Sequence, residues 1–230
     1  MVKLRFRRLL LGAAACVVGM TGAALAQSGT VRVEAGAPIV VGGYWVLSGG
    51  DAALGNDQKR GVELAIKDAG EILGHPVRLL AEDSQCSAEG GQTAATKLAA
   101  NPSVVGVIGP SCSSEATAAA PILWKAGLVS IGTSATAPSL TAPDRKPDYA
   151  GFLRTVFSDA DQGPADAKWL LEEHKAKTVV TIHDGSPYTQ QLTASMAEAF
   201  TALGGKVASQ EAVAPTDVDM RPILARIATE

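Results

Sequence analysis

Aromatic side chains make up only 4% of this 230-residue chain, and its three histidines, His75, His174 and His183, are scattered without metal-ligand spacing. No G-x-S-x-G elbow surrounds Ser113, so the strand-to-helix nucleophile of an α/β-hydrolase is not signalled. Gly49-Gly50 and Gly109-Pro110 are turn glycines that lack the spacing of a phosphate-binding loop. Beyond the first 26 residues no stretch is apolar enough to cross a bilayer. These absences exclude the common metal, nucleotide and membrane-spanning classes. What is abundant is Ala, Val and Gly, the composition of small-residue helices packed on buried parallel strands.

Lys3, Arg5, Arg7 and Arg8 open the chain, and an uncharged run from Leu9 to Ala26 follows, ending Ala24-Leu25-Ala26. That is the pattern of a cleavable export signal over residues 1–26, with Gln27 as the new N-terminus and a flexible segment over 27–37. A retained membrane anchor fits less well, given the Gly and Thr content and the small-residue end. Lipid attachment at Cys16 fits less well too, because Ala13 stands three residues before it. Losing the leader removes four basic and no acidic residues, taking net charge from −3 to −7. So acidic a chain offers no electrostatic footprint for nucleic acid or an anionic membrane. Cys86 and Cys112 remain, an even count in an oxidising compartment.

Short β-branched runs alternate with helical periods. Strands are expected over 38–47, 77–81, 104–108, 128–131, 152–156, 178–183 and 206–214. Helices are expected over 56–69, 88–100, 114–126 (kinked by Pro121), 162–174, 187–203 and from 219 onward. Such alternation implies a parallel sheet with right-handed crossovers. The stretch 133–149, with Pro138, Pro143 and Pro147, reads as a loop. A lobe boundary falls near 156–161, giving lobe 1 over 38–156 and lobe 2 over 157–230. Two or three strands cannot bury both faces of a parallel sheet, so the second lobe reads as incomplete and the chain as truncated at Glu230.

One helix and one strand separate Cys86 from Cys112, which returns the chain to a neighbouring strand end and predicts a disulfide. Ser113 and Ser114 follow at a helix start, where N–H groups sit at the positive end of the helix dipole. Plain N-capping explains them as well as a bound anion does. A second hydroxyl cluster, Thr133-Ser134-Ala135-Thr136, follows the next strand, and ligands of open α/β sheets bind outside strand C-termini. Ser113, His183 and Asp184 are also triad types, but His183 beside Asp184 at one strand end cannot easily be oriented by it.

Several segments resemble the leucine/isoleucine/valine-binding protein family, the periplasmic receptors of branched-chain amino-acid ABC importers. They are Ser48-Gly49-Gly50-Asp51-Ala52-Ala53-Leu54-Gly55 with Gly61-Val62-Glu63-Leu64-Ala65, and Gly109-Pro110-Ser111-Cys112-Ser113-Ser114. Ala135-Thr136-Ala137-Pro138-Ser139-Leu140-Thr141, Phe152-Leu153-Arg154-Thr155 with Asp159 and Asp161-Gln162-Gly163-Pro164, and His183-Asp184 with Tyr188 are similar to it as well. The resemblance implies a type I periplasmic-binding-protein fold: α/β, two doubly wound parallel-sheet lobes around a ligand cleft, the second lobe incomplete here. It implies Cys86 as the partner of Cys112, and Ser113 and Thr136 as holders of a ligand carboxylate. The Ser134 carbonyl and Thr136 hydroxyl would face the ammonium, Tyr188 would close from lobe 2, Asp159 would lie near the cleft and Leu54 would cover the side-chain pocket. It implies no catalysis, no metal and no cofactor. The expected setting is a periplasmic monomer that binds a small, branched-chain or related amino acid and docks on a membrane permease. Alternatives are a sensory or amide-binding receptor domain of the same fold, or an exported hydrolase. Binding is expected to be weak without a complete closing lobe.

Overall fold

The computed structural model describes residues 31–229, and the export signal read over 1–26 lies outside them. The strand–helix alternation is seen directly: β1 (Ile39–Trp45), α1 (Ala52–Ala69), β2 (Glu71–Ile72), β3 (His75–Asp83), α2 (Ala88–Ala99), β4 (Val104–Ile108), α3 (Ser113–Lys125), β5 (Ser130–Gly132) and β6 (Phe152–Arg154). These strands form one sheet in the order β2-β3-β1-β4-β5-β6. All its pairs are parallel except the short antiparallel edge β2–β3. After Arg154 come α4 (Asp159–Glu172), β7 (Thr178–His183), α5 (Pro187–Ala202), β8 (Lys206–Ala212) and α6 (Arg221–Ile227). β7 and β8 make a separate parallel pair. Among the described residues, no helix is long and apolar enough to cross a membrane.

The helices are set by their ends. Ser87 caps α2 by accepting the Gly90 N–H at 2.9 Å, and Glu89 and Lys97 complement the helix dipole at its two termini. Ser158 and Ser186 cap α4 and α5 in the same way, and Pro187 occupies the first position of α5, where its missing N–H costs nothing. α3 runs through Pro121. The carbonyl of Thr117, left without its usual helical donor, accepts the Tyr149 hydroxyl at 3.4 Å.

Alanines do much of the packing. Ala94, Ala95, Leu98, Ala119 and Leu123 from α2 and α3 cover Val40, Tyr44, Val104 and Val107 of the strands. The two helices meet so closely that a Cβ on Gly91 would lie 2.7 Å from the Cα of Glu115. Such a seam needs small residues, which accounts for the scarcity of aromatics. The opposite face is less covered. Ile131 and Leu153 are register neighbours on β5 and β6 and remain 38% and 49% exposed, with Val105 and Val129 exposed nearby.

Several elements differ from the sequence reading, among them α4, which begins at Asp159 rather than 162 and so takes in the expected lobe boundary. β2 is an addition, a two-residue hairpin strand too short for any periodicity. α1 begins at Ala52 rather than Asn56, which moves Leu54 from a loop into a helix. The proline-rich loop over 133–149 contains two single 3₁₀ turns, Pro138–Leu140 and Pro147–Tyr149.

Candidate functional site

The loops after β1, β4 and β5 converge at the C-terminal edge of the larger sheet. Cys86, after β3, and Cys112, capping α3, are joined as a disulfide with their Cα atoms 5.4 Å apart. Beneath it lies the fully buried Glu115, whose carboxylate accepts the N–H groups of Ser111 and Cys112, both at 3.1 Å. Burial pushes this carboxyl above the ordinary glutamate range, against the pull of those donors. The two sulfurs and the Glu115 carboxylate cluster within 4.8 Å. With the sulfurs joined to each other, no thiolate is left there to ligate a metal.

Ser113 is buried at the first turn of α3, and its Oγ accepts the Ala137 N–H at 3.1 Å. The loop after β5 is thereby tied to the start of α3, and among the described residues the Ser113 hydroxyl donates to no acceptor. Ser134 donates to the Ser111 carbonyl at 2.6 Å. Thr136 donates from Oγ1 to Asp159 Oδ2 at 2.9 Å, and the Asp159 N–H returns a bond to the Thr136 carbonyl at 3.0 Å. Ser113, Ser134, Thr136 and Asp159 thus form one assembly.

Asp159 is the first residue of α4 and fully buried, and its Oδ1 has no partner among the described residues. Burial raises its pKa, partly offset by the Thr136 bond and by Arg154. Arg154 donates to the carbonyls of Ala135 and Ala137, both at 3.1 Å, and to the Thr141 hydroxyl. Tyr188, in the first turn of α5, is 41% exposed, and its phenol pKa is raised by burial and by the charges of Asp159 and Asp166. Nearby, the Ser139 N–H donates to Gln191 Oε1 at 2.9 Å, so α5 reaches the loop after β5. Leu54 is half exposed on the first turn of α1.

The triad reading finds no assembly. His183 Nδ1 accepts the Gly185 N–H, Asp184 accepts from Ser186 and Thr189, and the Ser113 hydroxyl serves Ala137. Gln58 and Arg154 join the candidate site without any role read from the sequence, while Ser111 and Thr133 stood in the two hydroxyl-bearing turns but were given no role of their own. Arg154 stood in a quoted motif, but a lone arginine after a strand does not announce three acceptors. Gln58 on α1 reads as ordinary helix surface.

The family profile described as periplasmic binding protein matches residues 38–230. The chain is 30% identical over 210 residues to the Leu/Ile/Val-binding protein of Escherichia coli K12, an alignment covering 90% of this chain and 55% of the relative. A leucine binding protein from Thermotoga maritima superposes with a TM-score of 0.76 at 26% identity, over 83% of this chain and 53% of that one. The substrate binding protein of a branched-chain amino acid transporter from Streptococcus pneumoniae, solved with isoleucine, gives 0.71 at 25% identity over 84% and 54%. The chain spans about half the length of the relatives it matches.

Proposed function

The chain belongs to the periplasmic binding protein family and has its type I fold, and from that premise we propose that it is the extracytoplasmic substrate-binding component of an ABC importer for a small aliphatic amino acid. The observation that carries this reading is the Ser113–Ala137 bond, which holds two hydroxyl-bearing loops together at the N-terminus of α3. The N–H groups there and the Ser113 hydroxyl are donors suited to an α-carboxylate. The unpartnered Asp159 Oδ1 and the Thr136 hydroxyl are acceptors suited to the ammonium beside it. Tyr188 sits on α5, which packs on the β7–β8 sheet, and supplies the closing side, while Leu54 flanks the side-chain end.

Closure would be driven by contacts made to both sides only in the closed form, since a ligand shifts an equilibrium by its differential affinity for the two states. The relatives named above are binding proteins, and on that likeness the site is read as one that binds without turnover. A permease that accepts the loaded protein is the implied partner.

The test uses a chimera in which the chain is continued by the C-terminal half of the Escherichia coli relative, checked for a cooperative melt without ligand. Leucine, isoleucine or valine is expected to raise its melting temperature, and isoamylamine, which lacks the carboxylate, is not. The 230-residue chain itself is expected to show no leucine-dependent rise. A cooperative chimera that ignores every amino acid offered would overturn the reading.

A further inference from the structure

We propose that Gln58 is a positioning residue that clamps the three loops of the head-group site to one another. Its side chain makes three hydrogen bonds to three hydroxyls. Oε1 accepts from Ser111 Oγ at 2.7 Å and from Thr133 Oγ1 at 3.0 Å, and Nε2 donates to Ser134 Oγ at 2.6 Å. The Ser111 hydroxyl in turn accepts the Val46 N–H at 3.3 Å, which brings in the end of β1. One amide on α1 therefore spans the ends of β1, β4 and β5.

The anchor itself is fixed. Gly55, one turn before Gln58, lies so close to the Val46 carbonyl that a Cβ there would overlap it. Asn56 Nδ2 donates to the carbonyls of Leu47 at 3.3 Å and Ala52 at 2.7 Å. The first two turns of α1 are thus held against the β1 end, and the Gln58 amide reaches the other loops from a rigid base. The residues it ties stand beside the ones that face the ligand: Ser111 is two before Ser113, and Thr133 and Ser134 are three and two before Thr136. A shift of any loop would separate the carboxylate donors from the ammonium acceptors, and a site held in place before binding avoids that ordering cost. The consequence for ligand affinity rests on the receptor reading, whereas the clamp rests on geometry alone.

Two variants test it. Gln58→Leu removes all three bonds at similar volume. Gln58→Glu keeps the two accepted by Oε1 and replaces the donor to Ser134 by an acceptor. Amide hydrogen exchange on the 230-residue chain is expected to show faster exchange at 46–48, 111–113 and 133–137 together in Gln58→Leu. The change should be smaller in Gln58→Glu, and α2 and β7 should stay as protected as in the parent. Unchanged exchange at any of the three loops overturns the clamp. So does loosening spread evenly over the chain, which would mean general packing.

In the chimera, Gln58→Leu is expected to weaken leucine, valine and alanine alike by at least about tenfold, because the head group is common to all three. A changed ranking among them would place Gln58 in the side-chain pocket and overturn the positioning role. If the parent chimera binds no amino acid, the receptor reading fails while the exchange result still decides the clamp.

Discussion

Glu115 shows how a single buried carboxylate sets a pH dependence. Its folded pKa is raised by burial, so the folded state prefers the protonated form more than the unfolded chain does. The stability it allows is fully present below the ordinary glutamate value of about 4.5 and is lost as pH rises through the raised folded value. A glutamine at this position cannot ionise, yet its amide oxygen can accept the same N–H groups of Ser111 and Cys112. Glu115→Gln is therefore expected to stabilise the protein most at neutral pH, with the advantage shrinking to nothing below about pH 4.5. Denaturant unfolding at a series of pH values measures it, and a pH-independent difference between the two proteins would contradict it. Asp159 shifts in the same direction, so a residual dependence persists after the substitution.

At the scale of elements, the disulfide closes a β3–α2–β4–α3 connection of 26 residues. Loop-closure entropy assigns such a bridge about 3.5 kcal/mol. Reduction with a thiol is thus expected to lower the urea midpoint by more than about 1 M, given slopes of about 1–3 kcal/mol/M. An unchanged midpoint would show that the loop is held by its helix packing alone. The bridge was legible because its cysteines follow apolar runs one βα unit apart. β4 was legible as a strand because Val104–Ile108 is continuously apolar, although only Val104 and Val107 are buried and Val105 stays exposed on the less covered face. The start of α1 was not, because Ala52, Ala53 and Leu54 follow Gly49-Gly50 without a side-chain cap. The two-residue β2 gave no periodicity to read. Polar clamps such as Gln58 and Arg154 were invisible for another reason. Their partners lie far away in sequence, and a polar helix residue is by default solvent-facing.

For the whole molecule, the covered face of the larger sheet and its other face behave differently. α2 and α3 seal the first with small residues, while Ile131 and Leu153 stand side by side and half exposed on the second, with Val105 and Val129 near them. Parallel sheets are normally buried on both faces, and contiguous apolar surface of this kind attracts dye and other protein. The folded chain is expected to bind 8-anilinonaphthalene-1-sulfonate and to sediment faster as concentration rises. Ile131→Lys with Leu153→Glu should suppress both while leaving the melt cooperative. Equal dye fluorescence in the double variant would assign the effect to another patch.

The Thr136–Asp159 pair lies at the four-residue bridge by which the backbone passes from one sheet to the next. A swing of the β7–β8 body of the kind proposed above would turn around a point where two opposed bonds already knot loop to helix. On the receptor reading proposed above, the amino-acid end of a guest would meet a seat already bonded together, like the spine of an opening book. On that reading Tyr188, on α5, would travel with the far cover.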